Sequence, residues 1–317
     1  MLFHVTRDIG LFIILYVAMA VFHVAHEPPK NVLIAELYTR EKWERSFAFY
    51  EGFTEVGWLI GLVMGVFVSF LDFNSTTILL MCSGLNFLAF ALSLFLVSDP
   101  LLIFERGLVH IEKSIDLACR GVTIASKVLD GLPISESLTK ENLASFCSGL
   151  VFFAFATSTL FTPLPIFLSQ NLGLATSMVY AVYILNSGAG AVGYFLASKR
   201  LELHEEKMRL QKVVISRSTL AFLLAILVIS IQAIFPFALV LAFMGFAYAL
   251  YHVYALSLTM ELIPAGMAGL FDAFIGLGSA AGAYTGPYTA QTFGFTYAFI
   301  ISGATFFLAY ISFKASF

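Results

Sequence analysis

Charge is what this sequence has least of. Asp, Glu, Lys and Arg make up 12% of its 317 residues, about half the ~25% that a water-facing surface carries. That shortage excludes a soluble globular enzyme, and with so much apolar side chain it excludes a disordered chain as well. Neither sign dominates. The formal net charge is −3 and the isoelectric point about 6.1, so no positive field exists to hold nucleic acid. The three cysteines, Cys82, Cys119 and Cys147, fit neither a disulfide framework nor a zinc-ligand spacing. Walker, nucleophile-elbow and kinase signatures are lacking too, so ATP-driven work and membrane-embedded catalysis both want for residues, and no cofactor is called for. What the chain has instead is apolar bulk: 60% hydrophobic residues and a mean hydropathy of +0.91. It reads as an integral membrane protein.

A helix needs roughly 20 mainly apolar residues to cross the hydrocarbon layer. Nine such segments occur, at about 10–36, 46–70, 76–97, 145–169, 173–197, 218–234, 237–260, 268–290 and 295–313. None alternates apolar and polar residues as a barrel strand would. The expected fold class is therefore an all-α integral membrane protein of nine transmembrane helices. The long polar break divides it into a three-helix N-terminal bundle (1–97), a connection (98–144) and a six-helix C-terminal bundle (145–317). Within the break, Phe104, Leu108, Ile111, Ile115 and Val122 recur at helical spacing, which predicts an amphipathic helix on the membrane surface. The run Ser137 to Asn142 is placed to cap the span that follows.

Basic residues set the expected topology. Arg40, Lys42 and Arg45 share one turn; the connection carries Arg106, Lys113, Arg120, Lys127 and Lys140. The stretch 198–217 carries Lys199, Arg200, Lys207, Arg209, Lys212 and Arg217, and the tail carries Lys314. The intervening turns carry none. Fifteen of the 17 basic residues thus fall on one side, leaving Arg7 on the other and Lys30 in a span. By the positive-inside rule the rich side is cytoplasmic. The expected product is a multi-pass protein of the cell membrane, N-terminus outside and C-terminus cytoplasmic. Arg7, the apolar run and Ala18-Met19-Ala20 have the look of a cleaved signal peptide, but apolar character continues past that point.

The region also takes part in an internal repeat. A shift of 225 residues lays Phe12, Met19 and Leu33 on Phe237, Met244 and Leu258. The same shift lays Glu36-Leu37 on Glu261-Leu262, Ala48-Phe49 on Ala273-Phe274, and Gly57 and Gly61 on Gly282 and Gly286. After a six-residue shortening, Ser83-Gly84 and Phe87 fall on Ser302-Gly303 and Phe306. Parallel repeats of this kind mark transporters that rock two halves about a central site. Spans one to three pair with seven to nine; spans four to six have no partner, so a complete two-fold bundle would place three more spans before Met1. A partner chain is the alternative source of that missing wall.

The run Asn31 to Leu37 (NVLIAEL), the charged turn with Glu44-Arg45, and Phe49-Tyr50-Glu51-Gly52 resemble the junction between the fourth and fifth helices of the major facilitator superfamily. Gly278, Gly282 and Gly286-Pro287 resemble the glycine-proline pattern of that family's fifth and eleventh helices. The resemblance implies a twelve-helix architecture of six plus six joined by a cytoplasmic connection, here lacking the first three, and secondary transport as the activity. The family's charged Gly-Arg turn would lie ahead of Met1; Lys199-Arg200, at the repeat-related turn, lacks the Gly-Arg pair. Gly61 is followed by Leu62 rather than proline, so the pattern associated with antiport is incomplete and the coupling mode stays open.

Charge inside a span costs roughly 2.5–3.5 kcal/mol on insertion scales, so each case asks for a partner or a cavity. Span one holds His23, His26, Glu27, Pro28, Pro29 and Lys30. His23, Glu27 and Lys30 share one helical face, and Glu27 lies about 14 Å from the end near Glu36, close to the midplane. Span two adds Glu51 and Glu55 on one face, roughly 7 and 14 Å deep, bracketing Lys30 at about 9 Å. A Lys30 pair with either acid follows, read either as a lock between two helices or as part of a proton path. The repeat lays Glu27 on His252, an acid and an imidazole at related positions. Tyr248, Tyr251 and Tyr254 surround His252, Asn186 lies in span five, and Asp272 lies one turn inside span eight as a gate or a surface anion. These ten residues (His23, His26, Glu27, Lys30, Glu51, Glu55, Asn186, Tyr251, His252 and Asp272) are the candidate substrate or proton pathway. His23 and His26 beside Glu27 do not complete a metal site. Gly57-Gly61-Gly65 and Gly278-Gly282-Gly286 line single faces at close-packing spacing.

The expected function is movement of a small solute across the bilayer by alternating access, with protons as the candidate coupling ion. The alternative from another class is a structural or sensory membrane protein without a full translocation path.

Overall fold

The computed structural model describes residues 9–25, 43–71, 75–96, 142–198, 206–230, 234–262 and 269–317. Among them lie nine long helices: α1 (Ile9–Ala25), α2 (Trp43–Phe70), α3 (Ser75–Leu96), α4 (Leu143–Phe161), α5 (Thr176–Ala197), α6 (Glu206–Ser230), α7 (Ile234–Leu262), α8 (Gly269–Phe293) and α9 (Phe295–Ser316). No strand occurs among the described residues. Six stretches are long and apolar enough to cross a membrane: Arg45–Phe70, Leu143–Asn171, Thr176–Ala197, Lys207–Ser230, Ile234–Met260 and Phe295–Ser316. In α3 a shorter apolar stretch covers Thr77–Leu92. Helices are the only open-ended element that satisfies its own backbone in lipid, which is why 20-residue apolar runs resolve this way. The molecule is an all-α, multi-pass membrane protein. The connection at 98–141 lies outside the described residues.

Two compact units divide the chain, one of residues 1–17 with 73–141, the other of 18–72 with 142–317. The described part of the first is the start of α1 and α3, whose Leu85, Phe87, Leu88 and Phe95 are exposed. In the second unit α4 packs on α8 and α9, α5 on α7 and α2, and α6 on α9 and α7. Its core is aromatic. Phe146, Phe153, Phe299, Phe306 and Phe313 are buried with Leu150, Leu160 and Leu224. Outward faces expose Phe67, Ile226, Phe243 and Ile311, a surface suited to acyl chains rather than water.

Local chemistry sets the helix ends. Asn142 caps α4, its side-chain oxygen accepting from the Ser145 N–H at 3.2 Å, as the capping run predicts. Pro163 opens a short helix, Leu164–Ile166, and a π turn, Phe167–Asn171, that prolong α4. Gly173, at φ +65°, lets the chain turn into α5, and Gly294, at φ +97°, joins α8 to α9.

The two glycine stripes behave differently. A side chain on Gly278, Gly282 or Gly286 would run into the backbone oxygens of Val151, Phe155 and Thr159, successive turns of α4. This is close backbone approach of the kind small residues permit. Gly57 and Gly61 of α2 have no described atom within 4 Å of such a side chain, and Gly65 faces Tyr180 at 3.1 Å. Close packing along the α2 stripe is therefore confined to Gly65 among the described residues.

Candidate functional site

α2 brings Glu51 and Glu55 to one face, four residues apart. Glu51 is 8% exposed and Glu55 partly buried. α5 meets them with small residues: a side chain on Gly190 would lie 3.5 Å from Glu55 Oε1, and one on Gly52 of α2 would lie 3.3 Å from Tyr194 Cβ. This closeness lets the Ser187 hydroxyl donate to Glu55 Oε1. Tyr194, two turns along the same face of α5, lies with its hydroxyl 3.0 Å from His252 Nδ1 of α7. The same nitrogen is 4.0 Å from Glu51 Oε2. His252 is flanked by Tyr248 at 5.7 Å and by Phe271 at 6.4 Å between ring centroids, both near parallel.

One ring nitrogen thus faces a phenol and a carboxylate at once. Its tautomer decides which way the phenol bond runs. With Nδ1 bare, the phenol donates to it; with Nδ1 protonated, the N–H faces the phenol oxygen and Glu51, and a ring protonated on both nitrogens forms an ion pair with Glu51. Moving one proton therefore exchanges one hydrogen-bond pattern for another without moving a helix.

A cavity of about 200 Å³ opens beside this network. Glu55 of α2, Asn186, Gly190 and Tyr194 of α5, Gly245 and Tyr248 of α7, and Thr157 and Phe161 of α4 line it. Its walls mix a carboxyl, two phenols, an amide and a hydroxyl with apolar surface, the composition of a small-molecule site. The Asn186 side chain is already used, donating to the Leu241 carbonyl at 2.6 Å, so it fixes α5 to α7 and frames the cavity.

Behind Tyr248 lies a buried cation. Arg217, near the middle of α6, is 0% exposed. Its guanidinium carbon sits 4.8 Å from the Phe306 ring, 4.9 Å from Phe153 and 5.3 Å from Tyr248. Cation–π attraction to three rings offsets part of the cost of desolvating the charge. This corrects the sequence expectation, which ended a cytoplasmic loop at Arg217 and began the span at 218. The described helix already runs from Glu206 to Ser230, and Arg217 belongs to the interior. One residue leaves the count of fifteen on the basic side.

The structure unites four of the ten expected residues, Glu51, Glu55, Asn186 and His252, around one cavity and its adjoining network. Tyr251 is buried beneath it, stacked on Phe153 at 3.3 Å between centroids. Asp272 follows Phe271 in the first turn of α8, with one carboxylate oxygen buried. His23 falls on α1, while His26, Glu27 and Lys30, with the expected Lys30 pairing, lie outside the described residues. Within the described set the acids take Ser187 and His252 as neighbours instead. Sequence reasoning passed over Ser187, Tyr194, Thr157 and Arg217. A signal for the first two was present: Ser187, Gly190 and Tyr194, at i, i+3 and i+7, place polar and small residues on one face of an apolar span. Arg217 gave none, because it closes a basic stretch that reads as a loop.

A family model described as Major Facilitator Superfamily matches residues 1–269. Comparison with curated proteins and comparison with solved structures each returned no match. A match over most of the chain, on an all-α multi-pass scaffold whose polar residues converge on a small cavity, settles the family: the chain belongs to the major facilitator superfamily of membrane transporters.

Proposed function

We propose that the protein is a secondary active transporter that moves a small solute by alternating access and couples the movement to protons. The cavity between α2, α4, α5 and α7 is its solute site. Glu55 with Ser187, and Glu51 with His252 and Tyr194, are its proton-exchanging groups. One observation carries the reading: a carboxyl on the cavity wall adjoins an acid–imidazole–phenol cluster whose members come from α2, α5 and α7. In the repeat, α2 belongs to the first half and α5 and α7 to the second. A rocking motion of the halves would therefore change the distances among these groups, tying protonation to the open side. Basic residues on the turns, with Arg217 set aside, favour a cytoplasmic C-terminus in the cell membrane.

The test uses membrane vesicles from cells expressing the chain, with an imposed pH gradient. They are offered a defined mixture of sugars, amino acids and small organic acids, amines and neutral aromatics, and mass spectrometry reads what accumulates. At least one solute should accumulate above empty-vector vesicles. That accumulation should collapse with a protonophore and fall at least about tenfold with Glu55→Gln, which keeps the size and removes the proton-exchanging group. Accumulation indifferent to both, or none in any direction of the gradient, would overturn the reading.

A further inference from the structure

We propose that the transported solute carries a carboxylate and that Arg217 is its receptor, reached from the cavity when Tyr248 turns aside. The proposal rests on the transporter reading for its meaning, and on Arg217 for its substance.

A guanidinium has five N–H donors in a planar fork. In Arg217 the Nε and both terminal nitrogens are buried, and none has a hydrogen-bond partner among the described residues. Three aromatic rings meet the charge, but they leave those donors unused. As a structural element this is a poor arrangement: an apolar residue of similar volume would fill the same space without stripping a cation of water. As a receptor in waiting it makes sense, because the fork matches a carboxylate in two parallel hydrogen bonds.

Access follows from the three rings. Phe153 and Phe306 are buried in the core. Tyr248 contacts Arg217 on one side and lines the cavity on the other, so it stands between the cation and the space a solute would occupy. The volume of about 200 Å³ limits the ligand to roughly one ring with its acid group, given that an apolar cavity of about 150 Å³ takes benzene.

Radiolabelled benzoate is therefore the probe, measured by equilibrium binding to the full chain in lipid nanodiscs without any gradient. Benzamide, the neutral molecule of the same shape, is the competitor. Saturable benzoate binding that excess benzamide does not displace is expected. Arg217→Met should raise the benzoate Kd about a hundredfold, the loss of two charge-assisted hydrogen bonds. It should also leave the ligand-free unfolding midpoint unchanged or higher, which a structural arginine would not. If that variant fails to fold, Arg217→Lys carries the test: the charge remains but the fork is gone, and the Kd should rise about tenfold at normal stability. No saturable benzoate binding, equal displacement by benzamide, or an unchanged Kd in the folded variant would overturn the proposal. Because no gradient is used, failed transport would leave a positive binding result standing. Failed binding would leave proton-coupled transport of a different solute class intact.

Discussion

Gly57 and Gly282 occupy equivalent positions in the repeat, yet alanine should act oppositely at the two. At Gly282 the added methyl would lie 3.0 Å from the Phe155 carbonyl carbon and from Ser158 Cβ, and closer still to the Phe155 oxygen. The obstacle is backbone, so a whole helix must shift, and overpacking of this kind costs about 1–3 kcal/mol. Alanine returns roughly 0.5–1 kcal/mol through its greater helix propensity, leaving a net loss of about 1–2 kcal/mol. At Gly57 no described atom stands within 4 Å, so only the propensity gain of roughly 0.5–1 kcal/mol remains. The difference between the two variants cancels propensity and isolates the packing of α8 on α4. Cys147 of α4, 8% exposed, reports on that contact: with Cys82 and Cys119 changed to serine, its labelling by a thiol reagent during detergent titration follows opening of the helix pair. The midpoint should fall for Gly282→Ala and hold or rise for Gly57→Ala. Gly286→Ala and Gly61→Ala repeat the comparison, since a side chain on Gly286 would lie 2.9 Å from Thr159 Cα and one on Gly61 meets no described atom within 4 Å. Equal losses at both members of each pair would refute the argument that backbone contact, not sequence pattern, gives these glycines their role.

Two further outcomes follow from single hydrogen bonds. Tyr194→Phe removes the hydroxyl 3.0 Å from His252 Nδ1 while keeping the ring, so unfolding should shift by no more than about 1 kcal/mol. The pH profile of solute uptake should nonetheless change, and an unaltered profile would remove Tyr194 from the proton path. Ser302→Ala deletes the bond from its hydroxyl to the Ala156 carbonyl at 2.7 Å, which ties α9 to α4. In a membrane protein such a bond is worth about 0.6 kcal/mol on average, so detergent unfolding should weaken by roughly that amount with uptake unchanged.

How much of this was legible in the sequence differs residue by residue. Glu51 and Glu55 stood out because a carboxylate in an apolar run requires a partner or a cavity. Their partners did not, since serine and tyrosine are ordinary in membrane helices and only the approach of α5 to α2 singles out Ser187 and Tyr194 from their neighbours. Arg217 was misread for the opposite reason: it follows Lys207, Arg209 and Lys212 closely, and a run of cations reads as a solvated turn. Only the rings of Phe153, Tyr248 and Phe306, drawn from α4, α7 and α9, make an interior place for it.

The sequence by itself determined the helices, the membrane class and the parallel repeat. These depend on apolar length and on backbone groups that lipid cannot satisfy, both local properties of the chain. Which faces meet was decided only in three dimensions. Gly57 and Gly282 are the same residue at the same place in the repeat, and their difference lies in whether another helix's backbone arrives there. The cavity, the neighbours of its acids and the enclosure of Arg217 arise in the same way, from side chains far apart in the chain whose proximity no local pattern encodes.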